Sequence, residues 1–152
     1  MKTDFVPATK TASNPPECAH EPPWREIVRA ASFAPSPDNN QPWRFRCEGR
    51  RLFVEHDAAR ALPSDVDRLL DLQSLGAAIE NASIAARQFG FASAIEYLDA
   101  TAAPAVAQIE FVSGAEPDRL FPLLEKRRTS RRGYSRRPLA ETMLERLAAE
   151  AR

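Results

Sequence analysis

The sequence predicts an α+β domain, with helices packed on a small mixed sheet. Three observations carry this. Apolar residues recur at helical spacing near residues 24–31, and again over a long run that ends near residue 88. Between them, residues 43–47 and 51–55 are short alternating runs separated by Glu48-Gly49-Arg50, the pattern of a β-hairpin with a glycine-containing turn. Two more strand-like runs, residues 92–98 and 105–112, follow the long helix. The order helix, hairpin, helix, strands, helix is that of an α+β domain.

Residues 1–23 contain Pro7, Pro15, Pro16, Pro22 and Pro23 and few large apolar groups, which predicts a disordered or extended arm. Order is expected to begin at Trp24. Trp24, Ile27, Val28 and Ala31 share one helical face, and Pro35 ends that helix. Residues 34–45 read APSPDNNQPWRF, a polar loop stiffened by three prolines that returns abruptly to strand-like Trp43 and Phe45.

Pro63 and Ser64 punctuate the chain after the hairpin. Ser64 or Asp65 is the expected cap of a helix that runs to about Gln88. Its apolar positions are Leu69, Leu72, Leu75, Ala78, Ile79, Ala82 and Ala86. Ala77, Ala78, Ala82, Ser83 and Ala85 make it a helix that another backbone or a flat ring can approach closely, and on helix physics alone it is a tightly packed central helix. Asp65, Asp67 and Asp71 fall where acid complements the dipole of its first turns. Gly90 supplies the C-terminal cap, and Pro104 lies in the link between the two later strands. Residues 116–126 are expected to form a helix with Leu120, Leu123 and Leu124 apolar, residues 127–138 a basic irregular stretch, and Leu139 or Ala140 the start of a last amphipathic helix through Met143, Leu144 and Leu147.

At 152 residues and 43% hydrophobic content the chain fits one domain with a proper core. A formal net charge of zero does not indicate a generally basic, nucleic-acid-binding surface. No apolar run is long enough for a transmembrane helix, and no secretory signal is visible, so a cytoplasmic location is the default. Cys18 and Cys47 are too few for a disulfide framework; a single bridge and two buried or idle thiols both remain open. His20 and His56 have no second His or Cys at metal-ligand spacing, so no zinc site is expected. GxGxxG, GxxxxGK[ST] and GxSxG are all missing, which argues against a dinucleotide fold, a P-loop and a hydrolase elbow.

Two constellations can carry chemistry. Residues 126–139, KRRTSRRGYSRRPL, interleave arginines with Thr129, Ser130, Tyr134 and Ser135. Arginine forks match phosphate oxygens, hydroxyls can donate to a remaining oxygen, and an extended Arg128-x-Ser130-x-Arg132 would set all three side chains on one side. The plain alternative is a solvated basic loop, or a patch for RNA or an acidic partner. In the proline loop, Ser36, Asn39, Asn40 and Gln41 offer donors and acceptors on a stiff backbone. Its plain alternative is an ordinary helix-to-strand connector.

Together the two constellations resemble the nitroreductase family of flavin enzymes. Arg128, Ser130, Arg132 and Tyr134 match the family pattern R-x-S-x-R followed by an aromatic; Ala34, Pro35, Ser36, Asn39, Gln41, Pro42 and Trp43 match A-P-S-x-x-N-x-Q-P-W. Residues 76–91 are similar to the family's central core helix, and the resemblance covers most of residues 24–152. It implies a partial nitroreductase-like FMN-binding fold. Arg128, Ser130 and Arg132 would hold the FMN phosphate and ribityl end, Pro35, Ser36 and Asn39 would line the isoalloxazine ring, and Gln41 would join the cofactor set. It also implies a homodimer, NAD(P)H as electron donor and a small electron-poor substrate, with no nucleic acid and no membrane as partners.

The motif order departs from ordinary members, in which the arginine motif precedes the proline loop. The order here resembles two-lobed, atypical nitroreductase-like proteins, some of which store or sequester flavin. The expected division is an arm at 1–23, a nitroreductase-like domain at 24–126, and at 127–152 the start of a second half or a swapped arm. Three readings stand: an FMN-dependent oxidoreductase, a non-catalytic flavin-binding protein, and an interaction module whose basic loop binds nucleic acid or an acidic partner.

Overall fold

The computed structural model describes residues 21–99, 104–133 and 137–151. Helix α1 (Trp24–Ala31) opens the described chain, and a short 3₁₀ turn at Pro37–Asn39 lies in the proline loop. The hairpin follows as β1 (Trp43–Glu48) and β2 (Arg51–His56), each one residue longer at its C-terminal end than the sequence predicts. Gly49 takes φ +56°, as the first central position of a primed hairpin turn requires. Then come α2 (Leu69–Gln88), β3 (Phe91–Tyr97), β4 (Ala105–Ser113), a single turn α3 (Phe121–Leu124) and α4 (Glu141–Glu150).

The α+β class holds, but the sheet is antiparallel where a mixed sheet was expected. Its order is β1-β2-β4-β3, and each of the three pairings is antiparallel. The reason lies in β4, which pairs β3 on one side and inserts beside β2 on the other, so no strand needs a parallel crossover. The register shifts between Val54 and Glu55, opposite Ala107 and Ala105, and this bulge leaves Val106 without a partner on β2.

One sheet face is apolar and one is charged. Leu52 and Val54 on β2 and Ala107, Ile109 and Phe111 on β4 are fully buried against α1 and α2. The opposite face carries Arg46, which pairs with Glu55 at 3.0 Å and stacks over the Phe53 ring at 4.1 Å. The alternation of side chains along a strand makes this division. Ile27, Ala30 and Ala31 of α1 and Leu75, Ala78, Ile79, Ala82, Ala85 and Ala86 of α2 complete the core.

The buried face of α2 differs from the apolar stripe that the sequence predicts. Leu69 and Leu72 are exposed, at 61% and 50%, while Asp71 and Ser74 are buried. Asp65 does cap the helix as expected, but across an intervening 3₁₀ turn, Val66–Arg68: its two carboxylate oxygens accept from the Leu70 and Asp71 N–H groups, both at 2.9 Å. Gly90 closes the helix with φ +80° and donates to the Arg87 carbonyl at 3.0 Å. The helix expected at 116–126 shrinks to one turn. Pro122 lacks an N–H and fits only a first turn, so helix cannot extend upstream through it. Helix α4 exposes its whole apolar stripe, with Met143, Leu144 and Leu147 each more than half exposed.

Of the buried or idle thiols expected, Cys47 is free and exposed, not buried; Cys18, to which a bridge was left open, the arm at 1–20, His20 and Tyr134 lie outside the described residues. Among the described residues no helix is long and apolar enough to cross a membrane.

The close approach of α2 to the sheet is testable. Ala82 is fully buried. Ala82→Leu should cost about 1–3 kcal/mol through overpacking, whereas Leu72→Ala should change stability by less than about 0.5 kcal/mol, as for an exposed side chain. Urea denaturation of both variants checks this, and equal effects would remove the assignment of the buried face.

Candidate functional site

The proline loop is held in an unusual backbone conformation. Asp38, Asn39 and Gln41 all have positive φ, at +48°, +57° and +49°. Short Asp and Asn side chains tolerate the left-handed region, but Gln41 does not share that ease and stands immediately before a proline. Such positions store about 1–3 kcal/mol each and persist only when their surroundings over-determine them.

Those surroundings are visible. The Gln41 N–H donates to Ser36 Oγ at 3.0 Å, and its side-chain Nε2 donates to Asn39 Oδ1 at 3.3 Å. The Gln41 carbonyl accepts from the Trp43 N–H at 2.8 Å and from Arg60 Nη1 at 3.3 Å. Pro42 then accepts from the Asp57 N–H at 3.0 Å, tying the loop's exit to the end of the hairpin. Asp57 is itself clamped: Arg44 donates Nε and Nη2 to its two oxygens at 2.9 and 3.2 Å, and the Ala59 N–H adds a further bond. The Arg44 hydrogen bond holds the Asp57 carboxyl below the usual aspartate range, against the opposing effect of its burial, with the Arg44 charge, Ala59 and Arg60 acting in the same direction as the bond.

Asn39 and Gln41 face an open cleft of about 520 Å³, and Arg127 and Arg128 line the same cleft from the segment after α3. Arg29, Ser32 and Phe33 of α1 and its C-terminal turn line it as well. The cleft thus gathers three guanidiniums, Arg29, Arg127 and Arg128, against the single carboxylate of Glu125. Arg29 pairs with Glu125 at 2.9 Å. Arg127 donates Nε and Nη2 to the Phe33 carbonyl, both at 3.4 Å, and Arg128 Nη1 lies 2.9 Å from the carbonyls of Glu125 and Arg127. The Arg29–Glu125 and Arg127–Phe33 bonds fasten the start of the basic segment to the end of α1, while the Arg128 bonds stay within its own stretch of chain.

The other site residues expected from the sequence fall elsewhere. Pro35 and Ser36 line a separate hollow of about 250 Å³ with Leu70, Gln73 and Ser74. Ser130 and Arg132 are exposed in irregular chain and do not line the cleft. The structure therefore brings Asn39 and Gln41 together with Arg128, and leaves Pro35, Ser36, Ser130 and Arg132 outside that group. Arg29 and Phe33 were not singled out by sequence reasoning. Their spacing of four residues, which puts both on one helical face, is a signal only once α1 is known to run beside the basic segment.

A second arrangement was missed. Asp71, fully buried, accepts from Asn40 Nδ2 at 2.9 Å on one oxygen and lies 2.9 Å from His56 Nε2 on the other. Asn40 also donates to the Arg60 carbonyl at 3.1 Å. From sequence Asp71 reads as a dipole-complementing acid in the first turns of a helix, and only burial reveals its use.

Comparison with protein-family models finds none that matches the chain, and comparison with curated proteins finds no match either.

The Arg44–Asp57 clamp carries a pH dependence. A carboxyl with a depressed folded pKa stabilises the fold above its unfolded value and loses that contribution as pH falls through the folded one. Urea midpoints of the wild type should therefore drop as pH falls below about 4, and Arg44→Met should flatten this part of the profile while lowering the midpoint at pH 7. A profile of unchanged shape in the variant would show that Asp57 does not depend on Arg44.

Proposed function

We propose that the chain is an FMN-dependent oxidoreductase of the nitroreductase type, which binds FMN in the cleft between the proline loop and the basic segment. The observation that carries this reading is the meeting, around one cleft of about 520 Å³, of Asn39 and Gln41 from one motif and Arg128 from the other. The two motifs are about ninety residues apart in sequence, and nothing in their local spacing requires them to meet. The cleft volume lies within the range of about 300–1,000 Å³ that small-molecule and cofactor sites occupy.

The residues present suit the group chemically. Arginine forks suit a phosphate dianion; Arg128 would offer one, with Arg127 and Arg29, held by the Phe33 carbonyl and by Glu125, adding positive charge beside it. Asn39 and Gln41 carry amide donors and acceptors suited to the edge of a flat polar heterocycle, and Phe33 adds an aromatic surface. When bound, the flavin would supply the hydride chemistry, from NAD(P)H to a small electron-poor substrate. The chain's own residues bind and orient. The loop presents its amides from a strained, prearranged backbone, and the basic segment neutralises the phosphate.

A second reading is non-catalytic flavin binding or sequestration on the same fold. It is favoured by the open cleft and by the placement of Pro35 and Ser36 on a different hollow, so that one chain supplies only part of the contacts the family resemblance implies. In the oxidoreductase reading a second copy supplies the remainder, as a homodimer.

An FMN titration followed by visible absorbance, run beside riboflavin and on a sizing column, tests the reading. FMN should bind and turn the protein yellow. Arg128→Ala should weaken FMN by about tenfold to a hundredfold, the cost of one charged hydrogen-bond partner, and leave riboflavin, which has no phosphate, unchanged. Equal loss of both ligands would remove the phosphate assignment, and no binding of either would remove the flavin reading. Turnover of NAD(P)H by the loaded protein separates the enzyme from the sequestering protein.

A further inference from the structure

Asn40 stands between the two loop residues that line the cleft, yet its own side chain turns away from them. Its two amide hydrogens are both used, on Asp71 Oδ1 at 2.9 Å and on the Arg60 carbonyl at 3.1 Å. The amide cannot be turned over, because its oxygen would then face a carboxylate and a carbonyl. In the orientation it takes, Asn40 Oδ1 is buried with no hydrogen-bond partner among the described residues. An unmet buried acceptor opposes folding. The amide is oriented by its two donor bonds, to Asp71 and to the Arg60 carbonyl.

Asp71 is fully buried in the first turn of α2, and its position is fixed from two further directions. Its backbone N–H is held by Asp65 Oδ2, and its second carboxylate oxygen lies 2.9 Å from Nε2 of His56, the last residue of β2. One carboxylate therefore joins the helix, the sheet and the proline loop. On either side of the joined residue, Asn39 and Gln41 hold φ at +57° and +49° and face the cleft. A chain pinned at the residue between two left-handed ones has little freedom at its neighbours.

We propose that Asn40 and Asp71 are positioning residues, with His56 steadying Asp71: they lock the proline loop in its cleft-forming conformation without lining the cleft, so that ligand affinity there is set by a buried carboxylate behind the loop. The lock stands on these hydrogen bonds. Only the identity of the ligand, FMN, rests on the proposed function.

Amide hydrogen exchange on the intact chain tests the lock without any ligand. Asn40→Ala should speed exchange in residues 38–41, the Gln41 amide above all, by about tenfold or more, while amides of β2, β4 and the centre of α2 keep their wild-type rates. Asn40→Asp sets carboxylate against carboxylate and should loosen the loop further. Adding Asp71→Asn to it restores a donor facing an acceptor and should recover part of the protection, which a loop that merely packs would not do. Unchanged exchange at 38–41 in Asn40→Ala overturns the lock, and so does a uniform rise throughout the chain, which would mean general destabilisation. The second arm is FMN titration of the same variants, with an expected loss that follows the loop exchange. A loosened loop with wild-type FMN affinity overturns the positioning role. A wild-type chain that binds no FMN ends the flavin reading and leaves the exchange result to decide the lock.

Discussion

Everything in this fold depends on covering one face of a four-stranded sheet with two helices. The inner side chains of β2 and β4 are large and fully buried, Leu52, Val54, Ile109 and Phe111. The helix above them must then come close, and the alanines of α2 at 78, 82, 85 and 86 permit that approach. Small residues on the helix and large ones on the sheet are two halves of one packing solution. The charged outer face of the sheet needs no such cover, because Arg46, Glu48 and Glu55 pair among themselves there.

That solution also explains why a carboxylate can be buried at the start of α2. Asp71 lies on the sheet-facing side of the helix, three and four residues before Ser74 and Leu75, where the sheet gives way to the hairpin exit and the proline loop. Those segments are rich in donors that strands do not consume. A buried carboxylate without partners would cost several kcal/mol or be protonated. Here it receives Asn40 and lies against His56, and the result is a polar joint at the one end of the core where backbone ladders stop.

Much of this was legible in the sequence. The hairpin followed from alternation about Glu48-Gly49-Arg50, α1 from Trp24, Ile27, Val28 and Ala31, and the end of α2 from Gly90, because each is a local signal with a local cause. Three features were not legible, for different reasons. The antiparallel sheet depends on which strand inserts beside β2, a long-range choice that periodicity does not encode. The short α3 depends on Pro122, whose veto on upstream helix is stronger than the leucine spacing around it. The buried face of α2 was misread at its start, because Leu69 and Leu72 look like core and Asp71 looks like surface unless the facing donors are known. The cleft was half legible: the motifs named Asn39, Gln41 and Arg128, but Arg29 and Phe33 enter only through the packing of α1.

The basic segment illustrates the difference between charge and site. Seven arginines and lysines in residues 126–137 would, in a solvated patch, be interchangeable. Arg127 is instead committed to the Phe33 carbonyl, which holds the segment against the end of α1, and Arg128 to the carbonyl of Glu125 three residues before it. Arg132 is exposed and lines no part of the cleft. A binding surface for a polyanion draws on net positive potential and tolerates such redundancy, whereas a cleft that orients one anion needs guanidiniums in fixed places. The strained loop opposite makes the same argument from the other side. Left-handed backbone at Gln41 has no benefit in a connector whose only task is to join α1 to β1, and it is retained by a set of hydrogen bonds that reaches from Ser36 to Arg60. Strain held so widely keeps Asn39 and Gln41 at the cleft wall, as the proposed flavin site requires.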